Sequence, residues 1–216
     1  MEKLLSISKA AEMLGVHPTT LRLWTKKGMI PFHVTSGGHR RFLEEELRIW
    51  SEAQEGTFSP QTVARYALRK AQEQVNETTL KSQPWYQKLD EKGRETYEKA
   101  AYLLLESMFN ALGASDEENR VEAQAIGYEH ASRALRYRLS EADALQVFIF
   151  FRSVALDAIL SVYQGLLLPS EEVFKYARKL LAFTDQMMLY CAEVYHQLSM
   201  TPARQGASGG ASETSA

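Results

Sequence analysis

One stretch constrains the chain more than any other: LGVHPTTLRLWTKKGMIPFHVTSGGHRRF, from Leu14 to Phe42. A short helix is expected to end at Gly15, where a residue without Cβ can take the left-handed conformation that closes a helix. His17-Pro18 then opens a second helix, because proline's fixed φ and missing N–H suit the first helical position. Lys27-Gly28 ends it. Phe32 to Thr35 and Arg40 to Phe42 read as short strands, and the adjacent Gly37 and Gly38 supply positive φ for a hairpin between them. A helix from about Glu44 to Glu55 completes the unit.

The second helix has two sides. Leu21, Trp24 and in part Leu23 are expected to pack inward, while Thr19, Thr20, Arg22 and Lys26 fall on the other side. Hydroxyls and cationic side chains of this kind meet base edges or phosphates in a DNA major groove. The hairpin adds Ser36, Gly37, Gly38, His39, Arg40 and Arg41, whose small tip lets backbone N–H groups approach a phosphate. His17, at the mouth of the helix, joins this set. From Met1 to Phe42 seven Lys or Arg stand against two Glu, about +5, so the overall −2 leaves about −7 for the remainder. A basic reader on an acidic body fits binding to phosphates through one face.

These residues resemble a known family. Leu4 to about Trp50 is similar to the winged helix-turn-helix domain shared by MerR-type regulators and the excisionase-like group, through Gly15-Val16, Leu21-Arg22-Leu23-Trp24 and Gly37 to Phe42. The resemblance implies a recognition helix, a wing and double-stranded DNA as partner. Two positions depart from the pattern: His17 stands where a small N-cap is usual, and Lys9 where a capping-box acid is usual after Ser6.

The remaining chain is expected to be helical, giving a mainly α protein: residues 1–56 the winged helix-turn-helix domain, 57–84 a connector helix and loop, 85–200 an antiparallel helical bundle, and 201–216 a disordered tail. At 216 residues and 45% hydrophobic content, the chain can bury such a core. Gly56 to Pro60 reads as a hinge, with Ser59 capping a charged helix to about Gln74, and Asn76 to Pro84 as a loop. Tyr97, Ala101, Leu104, Met108 and Leu112 form the apolar face of a helix ended by Gly113. Ser115 with Glu118 and Ser140 with Asp143 are capping-box pairs for the next two, the second ending at Gly165. Ser170, after Pro169, caps the last helix. That helix carries one stripe through Val173, Leu180, Thr184, Met187 and Cys191, and a second through Phe174, Leu181, Met188 and Tyr195. Two stripes call for two sets of neighbours, so a central position or a homodimer interface is expected.

Gly127 to Leu160 resembles helical sensor domains of RsbR-like stress regulators, which implies a role in receiving a protein or small-molecule effector. Within it, His130 and Arg152 are the candidate ligand residues. Against these stand plainer roles: a hydrogen-bonded core histidine, and an arginine paired with a neighbouring helix's carboxylate. Arg133, Arg136 and Arg138 read as a solvated face, and Phe148, Phe150 and Phe151 as core or dimer interface. Neither His130 nor His196 has a second ligand at metal spacing, so no metal or cofactor is expected. No nucleophile–base pair or phosphate-binding glycine loop points to an enzyme. The single Cys191 excludes an intramolecular disulfide and fits a reducing cytosol. Neither a signal peptide nor a membrane span is expected, the most apolar run, Ala144 to Phe151, stopping at Arg152. A cytoplasmic DNA-binding transcription regulator is the leading reading; an excisionase-like architectural or recombination accessory protein is the alternative.

Overall fold

The computed structural model describes residues 3–57, 59–168 and 170–200, without the side chains of Pro60, Glu77, Ser170 and Glu172. The expected tail 201–216 and the Pro169-Ser170 cap lie outside what is described.

The first unit comprises β1 (Leu4–Leu5), α1 (Ile7–Met13), α2 (Pro18–Lys26), β2 (His33–Val34), β3 (Arg40–Leu43) and α3 (Glu44–Gln54). Gly15 closes α1 at φ +65°, with Val16 N–H donating back to Ala11 O at 2.9 Å. Gly28, at φ +66°, does the same for α2. The hairpin forms as expected, but β3 also pairs with β1, Leu5 opposite Phe42, so the sheet has three antiparallel strands in the order β1-β3-β2. A two-residue strand is too short to show a period in sequence. Leu5, Ala10, Ala11, Leu21, Ile30, Phe42, Leu47 and Trp50 make a small core beneath the sheet.

The next helix corrects an expectation. α4 (Pro60–Gln74), read as a connector, is a core helix: Val63, Tyr66, Ala67 and Ala71 are buried where it packs on later helices. Small side chains at 63, 67 and 71 recur every four residues and let α4 approach closely, while its charges point away. Ser59 precedes α4 without a side-chain cap bond, its hydroxyl donating instead to Gln61 Oε1 at 2.7 Å. The expected loop after α4 holds two short helices, α5 (Glu77–Lys81) and α6 (Pro84–Gln87). A reciprocal Asn76–Thr79 capping box starts the first and Pro84 the second. Trp85 and Tyr86 then bury themselves.

Four long helices follow: α7 (Glu91–Asn110), α8 (Asp116–Arg136), α9 (Glu141–Gly165) and α10 (Ser170–Met200). Both expected capping boxes are present, Ser115 with Glu118 and Ser140 with Asp143. One glycine stop differs: α7 ends at Asn110, ahead of Gly113. α9 ends at Gly165 as expected, and the left-handed residues after α8 and α9 are Arg138 (φ +57°) and Leu167 (φ +56°). Interhelical bonds set the directions. Ser107 meets Glu122 and Thr96 meets Tyr137, so α7 and α8 are antiparallel. Lys179 donates to Ala114 O at 2.7 Å and Tyr195 to Leu139 O at 2.9 Å, so α10 runs parallel to α8 and antiparallel to α9. At the α8–α10 crossing, a Cβ on Gly127 would sit 2.7 Å from Tyr190 Cβ and 3.0 Å from Cys191 N, which explains a glycine in mid-helix.

Helix α9 is the centre. Val147, Phe148, Phe151, Ala155, Ala158 and Ile159 are buried, and Phe150 packs on Trp85 with ring centroids 6.4 Å apart, so the phenylalanine cluster is core. Over an 18-residue window α9 reaches a mean hydropathy of 1.8, long and apolar enough by composition alone to cross a membrane, as the core helix of a bundle also is. It continues through Arg152 because Asp185 on α10 meets the guanidinium at 2.9 Å. On α10, Val173, Leu180, Thr184, Met187 and Cys191 are buried as the first stripe requires. Phe174 and Leu181, from the second, remain 67% and 38% exposed.

Candidate nucleic-acid interface

The outward face of α2 depends on how firmly the helix is anchored from behind. Leu21 is fully buried, a contribution of about 1.5–3 kcal/mol, and Thr25 is buried with its hydroxyl donating to Arg22 O at 2.8 Å. Trp24 leans on Trp50 of α3, ring centroids 5.6 Å apart. With those three inward, Thr19, Arg22 and Lys26 all face solvent, on one side of a helix with 3.6 residues per turn. Thr20, partly buried, lies at the edge of that side. Leu23 corrects the sequence reading. It is 48% exposed, in the middle of the outward face, where an apolar side chain can touch a thymine methyl. The signal was its position, one turn from Thr19 and from Lys26.

His17 is more than a departure from the usual N-cap. Its Nδ1 accepts from Thr19 N–H at 3.3 Å and lies 3.1 Å from Thr19 Oγ1, so the imidazole caps α2 and presents Nε2–H outward. Ser6 caps α1 through Lys9 N–H at 3.4 Å without a reciprocal bond.

The wing is stiffened by Thr35. Its carbonyl accepts from Gly38 N–H at 2.8 Å, its hydroxyl from His39 N–H at 3.2 Å, and its own N–H donates to His39 O. Only Gly38 has the positive φ expected of both glycines, +75°. The N–H groups of Gly38 and His39 are thus engaged, which leaves those of Ser36 and Gly37 at the tip. Arg40 stacks 5.5 Å above Phe32, and Arg41 donates to Arg40 O at 3.1 Å. Both guanidiniums are held at the wing edge.

Residues 4–55 match the helix-turn-helix domain family. The match covers the segment just described, and this part of the chain is a helix-turn-helix domain of DNA-binding type. No curated protein and no solved structure matches the chain.

A buried carboxylate ties the helix-turn-helix domain to the bundle. Glu46, 6% exposed at the start of α3, accepts from His33 Nε2 at 2.7 Å and from Tyr66 of α4 at 2.5 Å. Beside it Glu45 meets Arg69 of α4 at 2.6 Å. Sequence reading missed all five, because the pairs span up to 24 positions and have no local pattern.

The two candidate ligand residues of the bundle separate. Arg152 is engaged by Asp185 and takes the structural role. His130 is buried on α8, its Nε2–H donating to Ala144 O at 3.0 Å, its ring 4.5 Å from that of Phe148. Burial, and secondarily the Arg133 charge, lower its pKa to about 4, so the ring is neutral at physiological pH. Arg133 pairs with Glu129 and covers Tyr97, and is therefore not a free cation for DNA. Among the described residues no cluster of His, Cys, Asp or Glu could hold a metal. Burial pushes the Cys191 thiol up to about 12.

Proposed function

We propose that the protein is a sequence-specific transcription regulator of MerR-like type, cytoplasmic and non-enzymatic, that reads double-stranded DNA through α2 and the wing. The supporting observation is the shared face of Thr19, Arg22, Leu23 and Lys26 on a helix locked from behind, flanked by Arg40 and Arg41. Arg22 and Lys26 read base edges; His17, His39 and the wing arginines hold phosphates. One such reader covers little DNA, so two are held together as a homodimer through the bundle, where α10 leaves Phe174, Leu181 and Leu189 exposed. The bundle also senses, in keeping with its RsbR-like resemblance, and Glu46 with Glu45 offers the route by which α4 acts on the wing and α3.

A second reading, an excisionase-like architectural accessory protein, is favoured by the match itself, which is confined to residues 4–55. Selection of bound duplexes from a random pool by the full chain, at fixed salt, separates the two. The regulator is expected to enrich a motif of two half-sites. Arg22→Ala should weaken binding to it by about tenfold or more and relax one position. Arg41→Ala should weaken all sequences evenly. No enriched motif would discard the regulator in favour of the accessory role.

A further inference from the structure

Between α7 and α8 lies a cleft of about 290 Å³, at the lower end of the range for small-molecule sites. Although consecutive in the chain, these helices stand apart, and the opening reaches down to Phe148 and Phe151 of α9. Just beneath its floor lies an unmet donor. Tyr97 is 3% exposed and its hydroxyl has no hydrogen-bond partner, an arrangement that is costly to keep empty. Burial raises the phenol's pKa, so the group remains a donor at any ordinary pH. Next to it, the His130 ring spends its Nε2–H on Ala144 O, which fixes Nδ1 as an acceptor. Leu104, Ile126 and the two phenylalanines give apolar walls. Three carboxylates, Glu106, Glu122 and Glu129, line the cleft with one cation, Arg133, and Glu129 already answers that cation.

We propose that this cleft binds a small, mainly apolar organic cation, with Tyr97 donating to an acceptor at its inner end and Glu106 and Glu122 facing its charge. The site deepens, and rests on, the reading of the bundle as a sensor. A ligand there bears on α7, α7 packs on α4, and α4 holds α3 through Tyr66 and Arg69.

The test is calorimetric titration of the full chain with tyramine, para-ethylphenol and para-hydroxyphenylpropionate, which share a phenol and differ in charge. Tyramine should bind most tightly and the anion most weakly. Tyr97→Phe should weaken tyramine about fivefold, as expected for one lost hydrogen bond, with unchanged helical circular dichroism. Ile126→Trp, which fills the cleft, should abolish binding. Absence of heat with all three probes, equal affinity for cation and anion, or binding untouched by both variants would overturn the proposal. DNA affinity measured with and without tyramine tests the sensor reading separately: tyramine bound in the cleft with DNA affinity unchanged supports the site and removes the sensor role.

Discussion

Helix α8 has two long-range faces that behave in opposite ways. Toward α10 it packs so closely that no methyl group fits at Gly127. Toward α7 it leaves a cleft, bridged by Tyr97, His130 and Arg133 rather than by interlocked backbones. Close approach at a glycine gives many short contacts and no freedom to slide. An open seam closed by side chains can change its width by changing rotamers. The same helix therefore carries a fixed reference and an adjustable joint, and His130 with the unpartnered Tyr97 hydroxyl belongs to the adjustable one.

The largest expected effect breaks the closed face. Gly127→Ala should cost about 1–3 kcal/mol by overpacking, despite alanine's better helix propensity, and Gly127→Leu should eliminate cooperative denaturant unfolding. An unchanged midpoint for either would place α8 and α10 further apart than described. Intermediate in size is a pH effect on the open face. With His130 at about 4 in the folded chain and about 6.5 unfolded, the unfolded state binds the extra proton between those values. Stability is thus intact above pH about 6.5 and declines as pH falls toward 4, by up to about 3 kcal/mol. Comparing unfolding free energies across this window, His130→Asn should show a shallower decline than the parent; equal slopes would mean the imidazole is solvated. Smallest is Arg133→Met, which keeps the stem over Tyr97 and removes an ion pair with an exposed partner. It should change stability by less than about 1 kcal/mol. A larger loss, measured by the same unfolding curves, would make the cation a structural member of the seam.

What could be read in advance follows the range of the interaction. The capping boxes at Ser115 and Ser140, the left-handed Gly15 and Gly28, and the Pro18 helix start are decided within a few residues, and each is where the residues put it. The hairpin around Gly38 belongs with them. α4 was misread because its core face consists of alanines, a valine and one tyrosine. Their burial depends on a helix about ninety residues away, and in isolation they look like a polar connector. The short helices at 77–87 were hidden by turn-forming residues that serve equally as caps. Leu23 shows the limit on the outward face of α2: a leucine in a helix suggests core, and only the placement of Leu21 and Trp24 behind it turns it outward. Glu46 had no local signature, since His33 and Tyr66 approach it from opposite sides.

The eleven-residue α3 belongs to two cores at once. Leu47 and Trp50 complete the helix-turn-helix interior, Ile49 is packed in the bundle interior, and the Glu46 carboxylate holds a hydroxyl from one side and an imidazole from the other. The glycine at 56 marks a boundary in the chain but not in the packing. Cutting there strips Ile49 of its neighbours and leaves Glu45 and Glu46 without their α4 partners. In modular terms the transplantable unit is therefore longer than the family match. A graft that is to keep this domain's geometry has its seam after α4, and the domain carries with it the first helix of the bundle it is packed on.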